Sequence, residues 1–359
     1  MYIRRFAAIA AALLFAGCAI HPVPEDVTGV DTADIVKQIR CETRDAARKV
    51  ILRYLTQLAT YGNNPIAQDL LVKFEADPEL MAAFDAHRSF PGPEYVQVRN
   101  VLDVMYSAGV AYTFDLTMSE DNNLGATANF LGPWAAKFTL GLMGDVNRTR
   151  ENERTFTITD KFSFLLRELN TPKPSGQRYC DGHIAMYPNY IYPMVGRVGV
   201  YNTVYTFFQL SFFDGLAAPK SDPGAAGAPT MADKLTFTTI VDLTASPKVV
   251  FAPARTGFQI ADASLTGTAR RKDAHQVTVG LALDPKGKGI AALSSLRGFV
   301  FSGGGIGGTR VAIGSRAAGE VLVLNRVTAT TTSPAEQLAV LAIDQLKSRE
   351  LQLITSSSP

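Results

Sequence analysis

The feature that most constrains this fold is a change of hydrophobic period near residue 110. Upstream, Ile35, Ile39, Ala46, Val50 and Tyr54 recur at helical spacing, with Val36, Ala47, Ile51 and Leu58 widening the stripe. From Tyr112 to Ser119, apolar and polar residues then alternate without a fault. A period near 3.6 buries one stripe of a helix, and a period of 2 buries one face of a strand. The two kinds of segment lie in separate blocks, so the expected class is α+β, with a helical N-terminal part packed on antiparallel sheet.

The helical block reads as residues 31–107. Asp31 or Thr32 caps the first helix, and Gly62-Asn63-Asn64 ends it. Pro65 opens a second helix that Pro78 breaks, a short third covers Glu79 to His87, and Glu94 to Tyr106 is a fourth. Residues 108–216 read as sheet plus an aromatic helix. Strands are expected at 112–119, at 138–142 and at 156–158, with the charged run Asn147 to Arg154 as a turn. Val198, Tyr201, Val204, Tyr205, Phe208 and Phe212 fall on one helical face, best explained as plain core. Residues 217–233, rich in Ala, Pro and Gly, read as a linker.

The block 234–359 repeats the strand pattern. Leu235–Leu243 and Lys248–Ala252 flank a Ser246-Pro247 turn. Phe258–Ala269 and Gln276–Leu283 flank Arg270-Arg271-Lys272-Asp273, expected as a hairpin tip. Val311 to Ile313 and Val321 to Val327 add two more strands. Ser333-Pro334-Ala335-Glu336 is a capping box that opens a C-terminal helix.

The first residues carry a different message. Arg4 and Arg5 precede a ten-residue apolar run, Phe6 to Phe15, followed by small Ala16 and Gly17 and then Cys18. A charged start, a short apolar run and small residues make an export signal, too short to span a bilayer. Phe15-Ala16-Gly17-Cys18 resembles the lipobox of bacterial lipoproteins, with Phe15 where that family usually carries Leu. The resemblance implies removal of residues 1–17, acylation of Cys18, and a tether over 18–30 stiffened by Pro22 and Pro24. Ala19 rather than Asp after the cysteine implies the outer membrane, facing the periplasm. The partner implied is the lipid bilayer, through acylated Cys18.

Loss of Arg4 and Arg5 with the leader leaves 33 basic against 33 acidic residues. A neutral chain offers no electrostatic reason to bind nucleic acid. With Cys18 acylated, Cys41 and Cys180 remain as an even pair in an oxidising compartment. They either form a disulfide, closing a loop of about 140 residues, or stay as separate thiols. Cys41 reads as lying away from the apolar stripe of its helix.

No motif commits the chain to a reaction. Gly303-Gly304-Gly305-Ile306-Gly307-Gly308 matches G-x-G-x-x-G but precedes a strand pattern, not the helix that would meet a pyrophosphate. It is expected to be a turn, with no nucleotide. Cys180, Asp181 and His183 lack the further ligands a zinc site needs, so no metal and no cofactor is expected. Two charged clusters, Arg148 to Arg154 and Arg270 to His275, read as solvated turns. The helical first quarter, the aromatic helix and the lipid anchor argue against a membrane barrel. The expected function is a non-enzymatic binding, scaffolding or assembly role in the envelope, with an envelope protein as partner. The alternative is an envelope hydrolase whose catalytic residues converge from distant segments.

Overall fold

The computed structural model describes residues 22–23, 31–131, 139–182, 187–189, 193–216, 228–250, 259–285 and 332–356. The expected strands after 310 and the glycine run 303–308 lie outside the described residues, as do Cys18 and His183. The described residues contain helices and one antiparallel sheet, as the two periods require.

Helix α1 spans Thr32–Tyr61, capped by Asp31, whose carboxylate accepts from the N–H of Asp34 at 2.7 Å. Asn64 caps α2 (Pro65–Ala76) in the same way. The expected third helix divides into a 3-10 turn, Pro78–Ala83, and the four-residue α3, Ala86–Ser89. Helix α4 is Val96–Ser107. Strand β1 then runs Gly109–Leu131, β2 Thr139–Lys161, β3 Thr230–Ala245, β4 Lys248–Val250 and β5 Gln259–Ala282. Between β2 and β3 lie α5 (Phe162–Arg167) and α6 (Val200–Gln209), the latter continuing as a π-turn to Asp214. The last helix is α7, Pro334–Ser356.

Two strand assignments need correction. Asn147 to Arg154 is not a turn but the middle of β2, and Arg270 to Asp273 is not a hairpin tip but the middle of β5. Where a meander of short strands was expected, there are strands of 23 and 24 residues. Residues 230–233 likewise belong to β3 rather than to a linker.

The sheet order is β2-β1-β5-β3, with β4 also on β5. Cross-strand bonds fix the register. Thr113 meets Thr157, and Thr149 donates to Asp121. Thr127 meets Ser264, and Gln276 donates to Asp115. Arg270 pairs with Asp242, and the N–H of Leu283 donates to the carbonyl of Pro229. Every neighbouring pair is antiparallel. β4, with Lys248 opposite Ser264, continues β3 in the same register beyond Pro247.

The chain divides into two units, and the long strands run through both. One comprises residues 30–115, 155–237 and 276–359. Its core joins Ile35, Ile39, Ile51 and Leu55 of α1 to Val204, Phe207 and Phe208 of α6 and Phe162 of α5. Tyr112 and Phe114 of β1 and Val277, Val279 and Leu281 of β5 are fully enclosed. Helix α7 packs Ala339 and Ile343 against Ala111 and Ala282. Gly280 permits that approach, since a Cβ there would sit 2.1 Å from the carbonyl oxygen of Ala339. The other unit comprises residues 1–29, 116–154 and 238–275. Its described part is Pro22-Val23, the short β4 and the segments of β1, β2, β3 and β5 that fall in those ranges.

Candidate functional site

In the helical unit the ionisable groups are spent on structure. Cys41 and Cys180 form a disulfide. Cys41 is fully buried, correcting its expected position off the core side of α1. That bond removes the Cys180 sulfur from any metal set, and Asp181 accepts from the N–H of Arg178. Among the described residues, no three His, Cys, Asp or Glu side chains gather to hold a metal ion.

Beside the disulfide, Arg40 grips Asp160 with two bonds, Nε to Oδ2 at 2.7 Å and Nη2 to Oδ1 at 2.5 Å. Burial pushes the Asp160 carboxyl up and Arg40 draws it back. The hydroxyl of Tyr112, enclosed in the same region, is held well above its ordinary value by burial. Glu42 accepts three N–H bonds, from Val198, Gly199 and Val200, at 2.6–3.0 Å. It caps the N-terminus of α6, where a carboxylate is favoured. The aromatic face of α6 is core, with Val204, Phe208 and Phe212 buried. Tyr205 lies at its edge under the Arg53 guanidinium, 4.4 Å from the ring centroid. These arrangements hold parts of the unit together.

The stranded unit is different. Successive residues of a strand point to opposite faces, so the register above sorts its side chains into two sets. One face carries Leu124, Ala126 and Ala128 of β1, with Leu142, Gly144 and Val146 of β2. Ala263, Leu265 and Ala269 of β5 and Val241 and Leu243 of β3 complete it. The opposite face carries Thr127, Asn129, Asp145, Asn147, Asp242, Thr244, Asp262, Ser264, Thr266 and Thr268. There Asn129 Nδ2 donates to Asp262 Oδ1 at 2.7 Å.

Among the described residues of this unit, eight large apolar side chains are exposed. Six of them, Leu124, Leu142, Val146, Val241, Leu243 and Leu265, share the first face, while Ile240 and Met143 lie on the other. Alanine and glycine between the leucines floor a shallow depression of about 580 Å³, walled by Leu142 and Leu265.

A row of charges bounds this apolar face. Arg271, only 9% exposed, donates to Asp273 at 2.9 Å and to Glu120 at 3.2 Å. Glu120 also accepts from Arg150 at 2.5 Å. The row receives the stretch that follows Cys18. Asn152 Nδ2 donates to the carbonyl of Pro22 at 2.9 Å, and Arg271 Nη2 to that of Val23 at 2.6 Å. Both charged clusters expected as solvated turns therefore meet here. What signalled this face was alternation in small residues, a weak pattern in any one strand. His275, buried beyond Asp273, is held below its ordinary value by burial and by Arg271, with Asp273 opposing.

The comparison with known proteins corrects the sequence expectation that only the lipobox ties this chain to a family and that its globular part belongs to none. A family model described as uncharacterised protein y4kA matches residues 21–291. The uncharacterized protein y4kA of Sinorhizobium fredii (strain NBRC 101917 / NGR234) is 34% identical over 278 residues, covering 76% of this chain and 81% of that protein. With three quarters of its length matched, the helical and stranded units included, the chain belongs to the y4kA family.

Proposed function

We propose that this chain is a lipid-anchored protein of the outer membrane with a non-enzymatic assembly role, and that the apolar face of its stranded unit is the surface that enters the bilayer. The observation that carries this reading is the six exposed large aliphatic side chains gathered on the one face that Pro22-Val23 crosses. Cys18 precedes Pro22 by four residues, so an acyl chain there starts within roughly 14 Å of that face.

The dimensions agree with the same reading. Asn122 and Arg148 pair on this face one step in from Glu120 and Arg150; beyond them β1 continues nine residues, nine residues of β2 precede Arg148, and eleven of β5 precede Arg270. A tilted strand needs about 9–11 residues to cross the hydrocarbon. Transferring six such side chains from water into lipid is worth on the order of 10 kcal/mol. The charge row of Glu120, Arg150, Arg271 and Asp273 then falls at the headgroups. Among the described residues, no helix is long and apolar enough to cross a membrane.

The chain supplies its own reporter. Trp134 is the only tryptophan and lies in the sequence joining β1 to β2. The acylated protein, reconstituted into vesicles of brominated lipid, is expected to show quenched, blue-shifted tryptophan emission. Emission unchanged by brominated lipid and fully quenched by aqueous acrylamide would overturn the reading.

A further inference from the structure

Among the described residues, no further strand pairs with the outer edge of β2 or with that of β3–β4. In water such edges are solvated, but in hydrocarbon each unsatisfied N–H or C=O costs several kcal/mol. Insertion therefore demands that both edges be paired, and the inference rests on the membrane reading above.

The sheet itself shows what can pair them. Strand direction alternates across the order β2-β1-β5-β3, so the two outer strands run in opposite directions. β3 of one copy laid beside β2 of the next continues the antiparallel pattern without interruption. The edges match in length, 23 residues for β2 and a span from Thr230 to Val250 for β3–β4. Pro247 does not spoil the outer edge. Its carbonyl accepts from Leu265, so in an antiparallel pair its missing N–H lies on the β5 side. The charges also complement each other, with Asp145 and Glu151 on the polar side of β2 and Lys248 on that of β3–β4.

We infer that copies of this chain join β2 to β3, edge to edge, into a closed ring that forms one transmembrane β-barrel, each copy adding four long strands. A contact between two different edges is heterologous, and repeating it closes a ring when the rotation permits. The leucine face turns to lipid and the face of Asn129, Asp145, Asp262 and Ser264 lines the lumen, as in membrane barrels. Barrels of about 16 strands leave an aqueous channel, so four or more copies would pass polar solutes.

Cysteine cross-linking in membranes tests the pairing. Chains carrying Asp145→Cys or Asn147→Cys on β2 are mixed with chains carrying Asp242→Cys or Thr244→Cys on β3, and oxidised. Dimers are expected only between a β2 variant and a β3 variant. A chain carrying both substitutions is expected to give a ladder ending in one closed species, and vesicles holding it should leak carboxyfluorescein. Efficient dimers between two β2 variants would overturn the inference, as would monomers in every combination while Trp134 is embedded in lipid. Trp134 in water with the chain monomeric would remove the membrane reading and the ring together.

Discussion

Arg271 and Val23 are 248 positions apart in the chain, yet the Arg271 guanidinium donates to the Val23 carbonyl at 2.6 Å. The same guanidinium serves Asp273 and Glu120. One buried cation thus ties the stretch after Cys18 to the middle of two strands.

Arg271→Ala is expected to take from Asp273, 2% exposed, its guanidinium partner and to leave Glu120 with Arg150 alone. Removing one partner of a buried pair typically costs about 3–5 kcal/mol. Urea denaturation should show a midpoint shift of that size. Arg271→Lys keeps the charge but not the fork of donors and should recover only part of it. A loss below about 1 kcal/mol would show that the network carries little of the stability.

The Cys41–Cys180 bond spans 139 positions and lies where α1 meets the loop after α5. The chain-entropy account gives such a closure about 5 kcal/mol. Cys180→Ser should accordingly lower the thermal midpoint by about 7–10 °C. The wild-type protein in excess reductant should approach the variant's midpoint. Equal midpoints for oxidised wild type and variant would count against this attribution.

The helices were legible because their ends carry local chemistry. Asp31, Asn64 and the Ser333–Glu336 box cap within three residues of themselves, and the structure keeps each bond. The long strands were not legible. Arg148 to Arg154 and Arg270 to Asp273 look like solvated turns because a charged run inside a strand needs distant partners to be tolerated. Those partners are Glu120 and the carbonyl of Val23, which no local window contains. The apolar face was hidden for a related reason. Alanine, glycine and threonine alternate across four separated segments, and only the register adds them into one surface. The disulfide stood open as a pairing in the sequence because both cysteines lie in an even pair, but the burial of Cys41 came from packing against the loop that carries Cys180.

His275 gives the stranded unit a pH dependence with a definite sign. Burial is the largest effect and holds its pKa below the ordinary 6.5. A depressed histidine binds its proton more weakly in the folded state than in the unfolded one. Its stabilising contribution is therefore full above about pH 6.5 and falls as the pH drops toward the folded value, by at most about 1.4 kcal/mol per pH unit. Denaturation at pH 7.5 and pH 5.5 should show the loss, and His275→Gln should flatten the slope between them. An unchanged slope in the variant would assign the pH dependence to other groups.

Neighbouring positions on β5 give the sharpest test of which face meets lipid. Leu265 is 45% exposed on the apolar face, three cross-strand pairs in from the Arg271 row, and Thr266, the next residue, points to the polar face. An arginine facing lipid near the middle of a membrane barrel costs about 2–4 kcal/mol, whereas lumen positions tolerate charge. The comparison is cleanest in a Cys18→Ala background, where acylation cannot hold the chain to the vesicle by itself. In flotation with liposomes, Leu265→Arg should shift most of the protein to the unbound fraction. Thr266→Arg should float with the parent. Equal flotation of the two would mean that the sheet does not distinguish its faces toward lipid, and reversed behaviour would turn the polar face outward.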